Sequence, residues 1–201
     1  MYEKSLGSEK KGRSRRVGGK GLWSHLFSAH QHSYHPLLKD IMELEEAARN
    51  ISQGEARTIL NEQQHADYET WKDKLRRDRK WESSRVLEVV AQVNRARDLD
   101  LTSKILIIDE SFYFFDVIEI AFEQMYEPLV AFRFDENRSP ENTQATLEDF
   151  QKATAPAVML LTQSIGDKDL NITAANFVIL CGAFWKKSDE EQAWKRAHCR
   201  G

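Results

Sequence analysis

Cysteine is scarce: Cys181, at the end of an apolar run, and Cys199, among charges, are the only two in 201 residues. They cannot build a disulfide framework, which points to a reducing compartment. No apolar run approaches the roughly 18 to 20 residues that cross a bilayer, so no membrane association is expected. The opening residues, MYEKSLGSEKKGRSRR, have no apolar stretch behind their positive charges and do not form a secretory signal. Also missing is a phosphate-cradling Gly-x-x-x-x-Gly-Lys-Ser/Thr loop, because Gly18, Gly19 and Lys20 are followed by Gly21 and lack the first glycine. A net charge of −3 gives no overall signature of polyanion binding.

The residues that are present suit one ordinary domain with a long extension, 41% apolar and 30% charged. Charge is uneven along it. The first 21 residues hold seven Lys or Arg against two Glu, with Gly and Ser between them. Such a composition cannot bury enough apolar surface to fold, so residues 1–21 read as a disordered basic tail. Its KKGRSRR run, Lys10 to Arg16, has the composition of a nuclear-import signal or a phosphate-contacting arm, against the plainer reading of solvated chain. From Lys104 onward, 16 acidic residues outnumber 10 basic ones, a poor surface for a polyanion.

From Trp23 to about Asp100 the pattern is polar and helical. Pro36 with Leu37, Leu38, Ile41 and Leu44 after it predicts a helix beyond His35. Ser52 and Glu55 have capping-box spacing, which predicts a second helix from Gln53 through Ile59, Leu60 and Trp71 toward Arg77. A third, Ser84 to Arg97, presents Val86, Val89, Val90, Val93 and Ala96 on one side and should pack against the apolar segments C-terminal to it.

Four apolar runs of strand length come next, at 104–109, 129–134, 157–162 and 176–181. Between them lie an amphipathic helix, Phe112 to Met125, and a helix opened by Ser139 that runs through Ala145, Leu147 and Phe150. Continuously apolar strands alternating with helices belong to an α/β fold with a parallel sheet covered on both faces. Ligands of such sheets bind at the carboxyl ends of the strands, which places chemistry in the loops after Asp109, Asp135, Thr162 and Cys181.

SSRVLEVVAQV before KILIID, then RFDENRSPENTQATLEDF, VMLLTQSIGDKDLNITAANFVIL and FWKKSDEEQAWKRAH succeed one another in an order and spacing that make Ser83 to Gly201 resemble the second RecA-like lobe of the Swi/Snf-type helicase-like ATPases. LNITAAN and EEQAWKRAH are the specific matches. SAHQHSYHPLL is similar to the His-Pro segment before that lobe. The resemblance implies three parts: the basic tail (1–21), a helical extension (22–82) and a RecA-like lobe (83–201) whose last strand would lie beyond Gly201.

The family hydrolyses ATP between two lobes, the first supplying the phosphate loop and metal, the second supplying cations that stabilise the transferring phosphoryl group. On this chain the resemblance assigns ATP contact to Gln192 and Arg196, the catalytic candidates. It places Gly166 and Asn171 in the loop near nucleotide, and Thr162 and Thr173 near DNA phosphates. Trp185 packs. The implied ligands are ATP with Mg²⁺, available only with a first RecA-like lobe that this chain does not contain, and the implied partners are that lobe and double-stranded DNA. The implied setting is the nucleus, in chromatin remodelling or DNA repair.

Departures from the family pattern bear on activity. Thr143 stands where Arg is usual. Ile165, Asp167, Lys168 and Asp169 surround Gly166 where glycines are expected, Lys186 and Lys187 replace Asn-Pro, and Cys199 replaces a second Arg. Glycine permits close phosphate approach, whereas aspartates add bulk and like charge beside an anion. An arginine finger is worth on the order of 10³ or more in rate, so its loss is close to loss of turnover.

Three further patterns imitate functional sites. Asp109 and Glu110 imitate a strand-end metal pair, but with no phosphate loop upstream they read as caps of the next helix. His25, His30, His32 and His35 fit no tetrahedral zinc spacing and read as a polar, partly exposed loop, so no metal site is expected. Phe112, Tyr113, Phe114 and Phe115 read as core rather than base-stacking surface. Three functions stay open: a translocase lobe active only with its other half, an inactive interaction module descended from such a lobe, and a basic-tailed nucleic-acid binder.

Overall fold

The structure, a computed structural model, describes residues 22–43, 62–109, 111–125, 127, 129, 131–134, 140–154, 156–162, 172 and 174–182. In chain order these form α1 (Leu22–Tyr34), a helical stretch at 38–43 (α2), α3 (Glu62–Arg76) with a 3-10 turn (Arg77–Arg79), α4 (Ser84–Leu99), β1 (Lys104–Asp109), α5 (Phe112–Glu123), β2 (Ala131–Phe134), α6 (Pro140–Lys152), β3 (Ala157–Thr162) and β4 (Phe177–Leu180).

The four strands make one sheet in the order β2-β3-β1-β4, with every pairing parallel. β1 and β3 coincide with the apolar runs expected for them and pair along their whole length, Lys104 with Ala157 through Asp109 with Thr162. β2 and β4 are shorter than their runs. The Leu129 amide turns back to Phe122 O instead of joining a ladder, whereas the Cys181 amide carries the β4 ladder one residue further, to Ile108 O.

Alternation along the strands divides the core in two. Ile105, Ile107, Val158 and Leu160 face one side, with Val86, Val89, Val93 and Ala96 of α4 and Phe114, Phe115 and Ile118 of α5. Leu106, Ile108, Met159 and Leu161 face the other, with Leu147 and Phe150 of α6. This is the two-faced parallel α/β sheet expected; of the 112–115 run, Phe114 and Phe115 are buried core as expected, whereas Phe112 and Tyr113 are only half-buried.

The extension shares the first of these cores. Tyr34, Leu38, Ile41, Trp71, Leu75 and Trp81 belong to the same buried cluster as β1 and α5. Their polar atoms are anchored too: Trp71 Nε1 donates to Leu37 O at 2.7 Å, and Trp81 Nε1 to Gln124 Oε1 at 2.7 Å. Between them the chain turns through two consecutive left-handed residues, Asp78 (φ 51°) and Arg79 (φ 56°), neither a glycine. Such a conformation costs about 1–2 kcal/mol per residue. Arg79 recovers part of this by lying over the Trp81 ring, 5.4 Å from its centroid, and by pairing with Glu82 at 2.5 Å.

Pro36 does lie in the turn that opens α2, but the structure also has a helix before His35. His25, His30 and His32 are therefore helical rather than in a loop. Leu22, Trp23, Leu26, Phe27 and Tyr34 recur at helical spacing along it, a pattern that fits this helix. α3 ends next to Arg77 as expected, while its expected start at Gln53 and the α6 opener Ser139 lie outside the described residues. Ser83 caps α4, accepting from the Val86 amide at 3.2 Å, and the helix runs two residues beyond Arg97.

His35 is buried and both ring nitrogens are engaged by main chain. Nε2 donates to Lys80 O at 2.8 Å and Nδ1 accepts from the Leu37 amide at 3.1 Å. That pairing requires the neutral ring, ruling out His35 as a free metal ligand, and it ties the His-Pro turn to the approach to α4. Burial lowers its pKa below the ordinary histidine value, more than the Lys80 carbonyl raises it.

Leu75→Ala should cost about 2–5 kcal/mol in urea unfolding, with one transition for the whole described unit; a separate early transition would show the extension to be independent. For His35 the unfolded chain binds the proton more readily, so its contribution to stability is complete above about pH 6.5 and declines as pH falls toward the folded-state pKa. The stability gap between the native chain and His35→Gln should therefore narrow from pH 7.5 to pH 5, and a gap independent of pH would contradict the assignment.

Candidate functional site

Because every described strand is parallel, their carboxyl ends lie at one edge, where Asp109 of β1 and Thr162 of β3 sit side by side in register. Of the residues singled out from sequence for ligand contact, Thr162 is the one the structure describes, at the end of β3. Gly166, Asn171, Thr173, Gln192 and Arg196 lie outside the described residues, as do Glu110, Trp185 and Cys199.

Asp109 is buried, and its Oδ1 accepts from the Ser111 amide at 2.7 Å. Ser111, not Asp109, is the N-cap of α5, its hydroxyl accepting from the Phe114 amide at 3.2 Å. The capping role expected of Asp109 thus falls to the serine two residues on. The carboxylate instead closes a short turn and faces inward, where the hydroxyl of Tyr34 donates toward it.

Tyr34 is the residue that sequence patterns missed. It ends α1 with its side chain buried, its ring edge-on to Phe114 at 4.9 Å, and the Arg85 guanidinium lies over it, 4.8 Å from the ring centroid. Its carbonyl accepts from Ser83 Oγ at 2.6 Å. Arg85 then donates from Nη1 to Cys181 O at 2.7 Å, joining the start of α4 to the end of β4. Its neighbour His35, in the His-Pro pair, was the available signal; nothing in the local pattern points to Arg85.

Electrostatics at this edge favour neutral, fixed groups. Burial, with the Asp109 charge second, pushes the Tyr34 phenol well up. Burial and Asp109 likewise raise the Cys181 thiol. A thiol held in that form is a poor nucleophile, so the cluster orients main chain rather than performing covalent chemistry. Among the described residues no three His, Cys, Asp or Glu side chains gather as a metal ion requires.

A second buried polar cluster lies on α5 and β2. Arg133 donates to Asp116 at 2.6 Å, to Glu119 at 3.1 Å and to the Phe112 carbonyl at 2.6 Å, with its guanidinium 3.6 Å from the Phe112 ring centroid. Burial holds Glu119 above the usual carboxylate range in spite of Arg133. Phe112 is thereby covered by a cation from its own fold, consistent with a packing role rather than a base-stacking one.

Residues 83–201, more than half of the chain, match the family model described as the helicase conserved C-terminal domain. Over 120 residues the chain is 29% identical to DNA repair protein RAD5 of Cryptococcus neoformans, a match covering 59% of this chain and 10% of that protein. It is 28% identical over 118 residues to DNA repair protein RAD5B of Arabidopsis thaliana, covering 58% and 9%. The chain thus spans about a tenth of the length of these relatives. Among solved structures it is similar to the C-terminal part of the Fun30 ATPase domain, with a TM-score of 0.63 at 18% identity, over 88% of this chain and 64% of that one. Identity that low speaks to the fold, which is that of a RecA-like lobe. With a parallel sheet of this form and a family match that runs from the cap of α4 to Gly201, the chain belongs to the helicase conserved C-terminal domain family.

Proposed function

We propose that the chain acts as the second lobe of a Swi/Snf-type ATP-dependent DNA translocase of the DNA repair or chromatin-remodelling class, working in the nucleus. The observation that carries this reading is the family match over 83–201, which spans both the parallel sheet and the QAWKRAH run holding Gln192 and Arg196. The relatives named as DNA repair proteins support the nuclear, DNA-linked setting.

In this proposal Gln192 and Arg196 reach the phosphates of ATP, Gly166 and Asn171 line the loop beside the nucleotide, and Thr162 and Thr173 meet DNA phosphates. Phosphoryl transfer rests on positioning and cationic stabilisation, which one lobe supplies only in part. In this reading Mg²⁺ and the phosphate loop come with a first lobe. The chain on its own binds ATP weakly and does not hydrolyse it. Cys199 at the place of the second arginine, with Asp167 and Asp169 beside Gly166, favours one alternative: an interaction module that keeps the sheet and has lost the chemistry.

Calorimetry with ATP separates the two. A translocase lobe gives measurable binding that Arg196→Ala weakens by about tenfold, roughly 1.4 kcal/mol, with no phosphate release by either protein. Micromolar ATP affinity abolished by Arg196→Ala would sink the module reading, and absence of any heat up to millimolar ATP with the first lobe of a relative supplied alongside would sink the translocase reading.

A further inference from the structure

We propose that α1 is a releasable strap across the carboxyl edge of the sheet, latched by Tyr34 over the ends of β1 and β4 and kept easy to release by Gln31. The two side chains lie three residues apart on the helix and act in opposite directions. This device is independent of the ATP contacts proposed above.

Among the described side chains of α1, Gln31 and Tyr34 alone are buried, while Leu26, Ala29, His32 and Ser33 are exposed. Tyr34 is the holding contact. Its ring packs edge-on to Phe114 of α5 and under the Arg85 guanidinium of α4, and its hydroxyl donates toward the Asp109 carboxylate at the end of β1. Gly182, two residues beyond β4, lies so close to the same hydroxyl that a Cβ built there would overlap it. Cys181 belongs to the same buried cluster as Tyr34. With α1 docked, Asp109 and Cys181 are 3% and 2% exposed.

Gln31 opposes docking. It is 1% exposed, yet neither Oε1 nor Nε2 has a hydrogen-bond partner. Water satisfies both atoms when α1 is released, so docking strips the amide of solvent without replacing it. Beyond Tyr34 the chain is fixed. The Tyr34 carbonyl accepts from Ser83 Oγ, His35 is pinned through both ring nitrogens to Lys80 O and the Leu37 amide, and Trp71 holds the Leu37 carbonyl. The helix therefore pivots at Tyr34 while α2 and α3 keep their places. Release bares the ends of β1 and β4, at the edge where ligands of a parallel sheet bind.

Cys181 reports the release, in the full chain carrying Cys199→Ser so that one thiol remains. Burial holds that thiol protonated and out of reach while α1 is docked. Its labelling by a dilute thiol reagent at pH 8 is followed across sub-denaturing urea, beside amide exchange of α4, which reports opening of the whole core. A local release exposes little surface, so labelling should depend weakly on urea and α4 exchange steeply. Gln31→Met keeps the length of the side chain without its polar atoms and should slow labelling about tenfold. Tyr34→Phe loses the donor to Asp109 and should speed it about fivefold. Leu147→Val, on the opposite face of the sheet, should speed α4 exchange about fivefold and leave Cys181 labelling unchanged.

Three results would each overturn the strap: labelling with the same steep urea dependence as α4 exchange, labelling speeded equally by Leu147→Val, or labelling that Gln31→Met does not slow. Should Gln31→Met fail to fold, Gln31→Leu carries the same expectation.

Discussion

A parallel sheet has two apolar faces, and neither can be left in water. In this chain that requirement organises the described structure. Alternate residues of β1 and β3 supply two cores, Ile105, Ile107, Val158 and Leu160 to one and Leu106, Ile108, Met159 and Leu161 to the other. On the second face α6 contributes Leu147 and Phe150, with Ile172 and Ala175 beside them. The first face takes α4, α5 and six residues of the extension, among them Trp71 and Leu75. The extension is thus part of how the sheet is buried rather than an attachment to a finished domain.

Burying that face also brings polar groups inside, and each must find a partner or cost free energy. His35 satisfies both ring nitrogens with main chain, Trp71 and Trp81 find a carbonyl and an amide, and Arg133 collects two carboxylates and a carbonyl. Exceptions remain: Arg133 Nε and both polar atoms of the buried Gln31 side chain have no hydrogen-bond partner. Gln31 lies on α1 close to Tyr34 in the chain. A smaller polar set, Tyr34, Arg85 and Asp109, lies at the carboxyl ends of β1 and β4, where ligands of such a sheet bind.

Much of the fold was legible because its elements are local. β1 and β3 are continuous apolar runs of strand length bounded by polar residues, and α4 combines a serine cap with a stripe at helical spacing. α1 went unplaced although Leu22, Trp23, Leu26, Phe27 and Tyr34 recur at helical spacing, because His25, His30, His32 and the buried Gln31 interrupt the pattern. The family was legible from LNITAAN and QAWKRAH, yet most residues those motifs single out lie outside the described residues, and Thr162 alone can be placed. Asp109 shows the limit of local reading: a carboxylate just before a helix looks like its cap, but the cap is Ser111 and the carboxylate turns toward Tyr34.

Sequence by itself determined the α/β class, the parallel direction of the strands and the family, because periodicity, run length and motif spacing are properties of neighbours along the chain. Only the tertiary structure decided that Tyr34, Arg85, Asp109, Cys181 and Gly182 meet at one edge, that His35 is a neutral latch, and that Arg133 is neutralised internally. These contacts join residues far apart in the chain, and their chemistry depends on burial and on which groups the packing brings within hydrogen-bonding reach, neither of which is encoded in any short pattern.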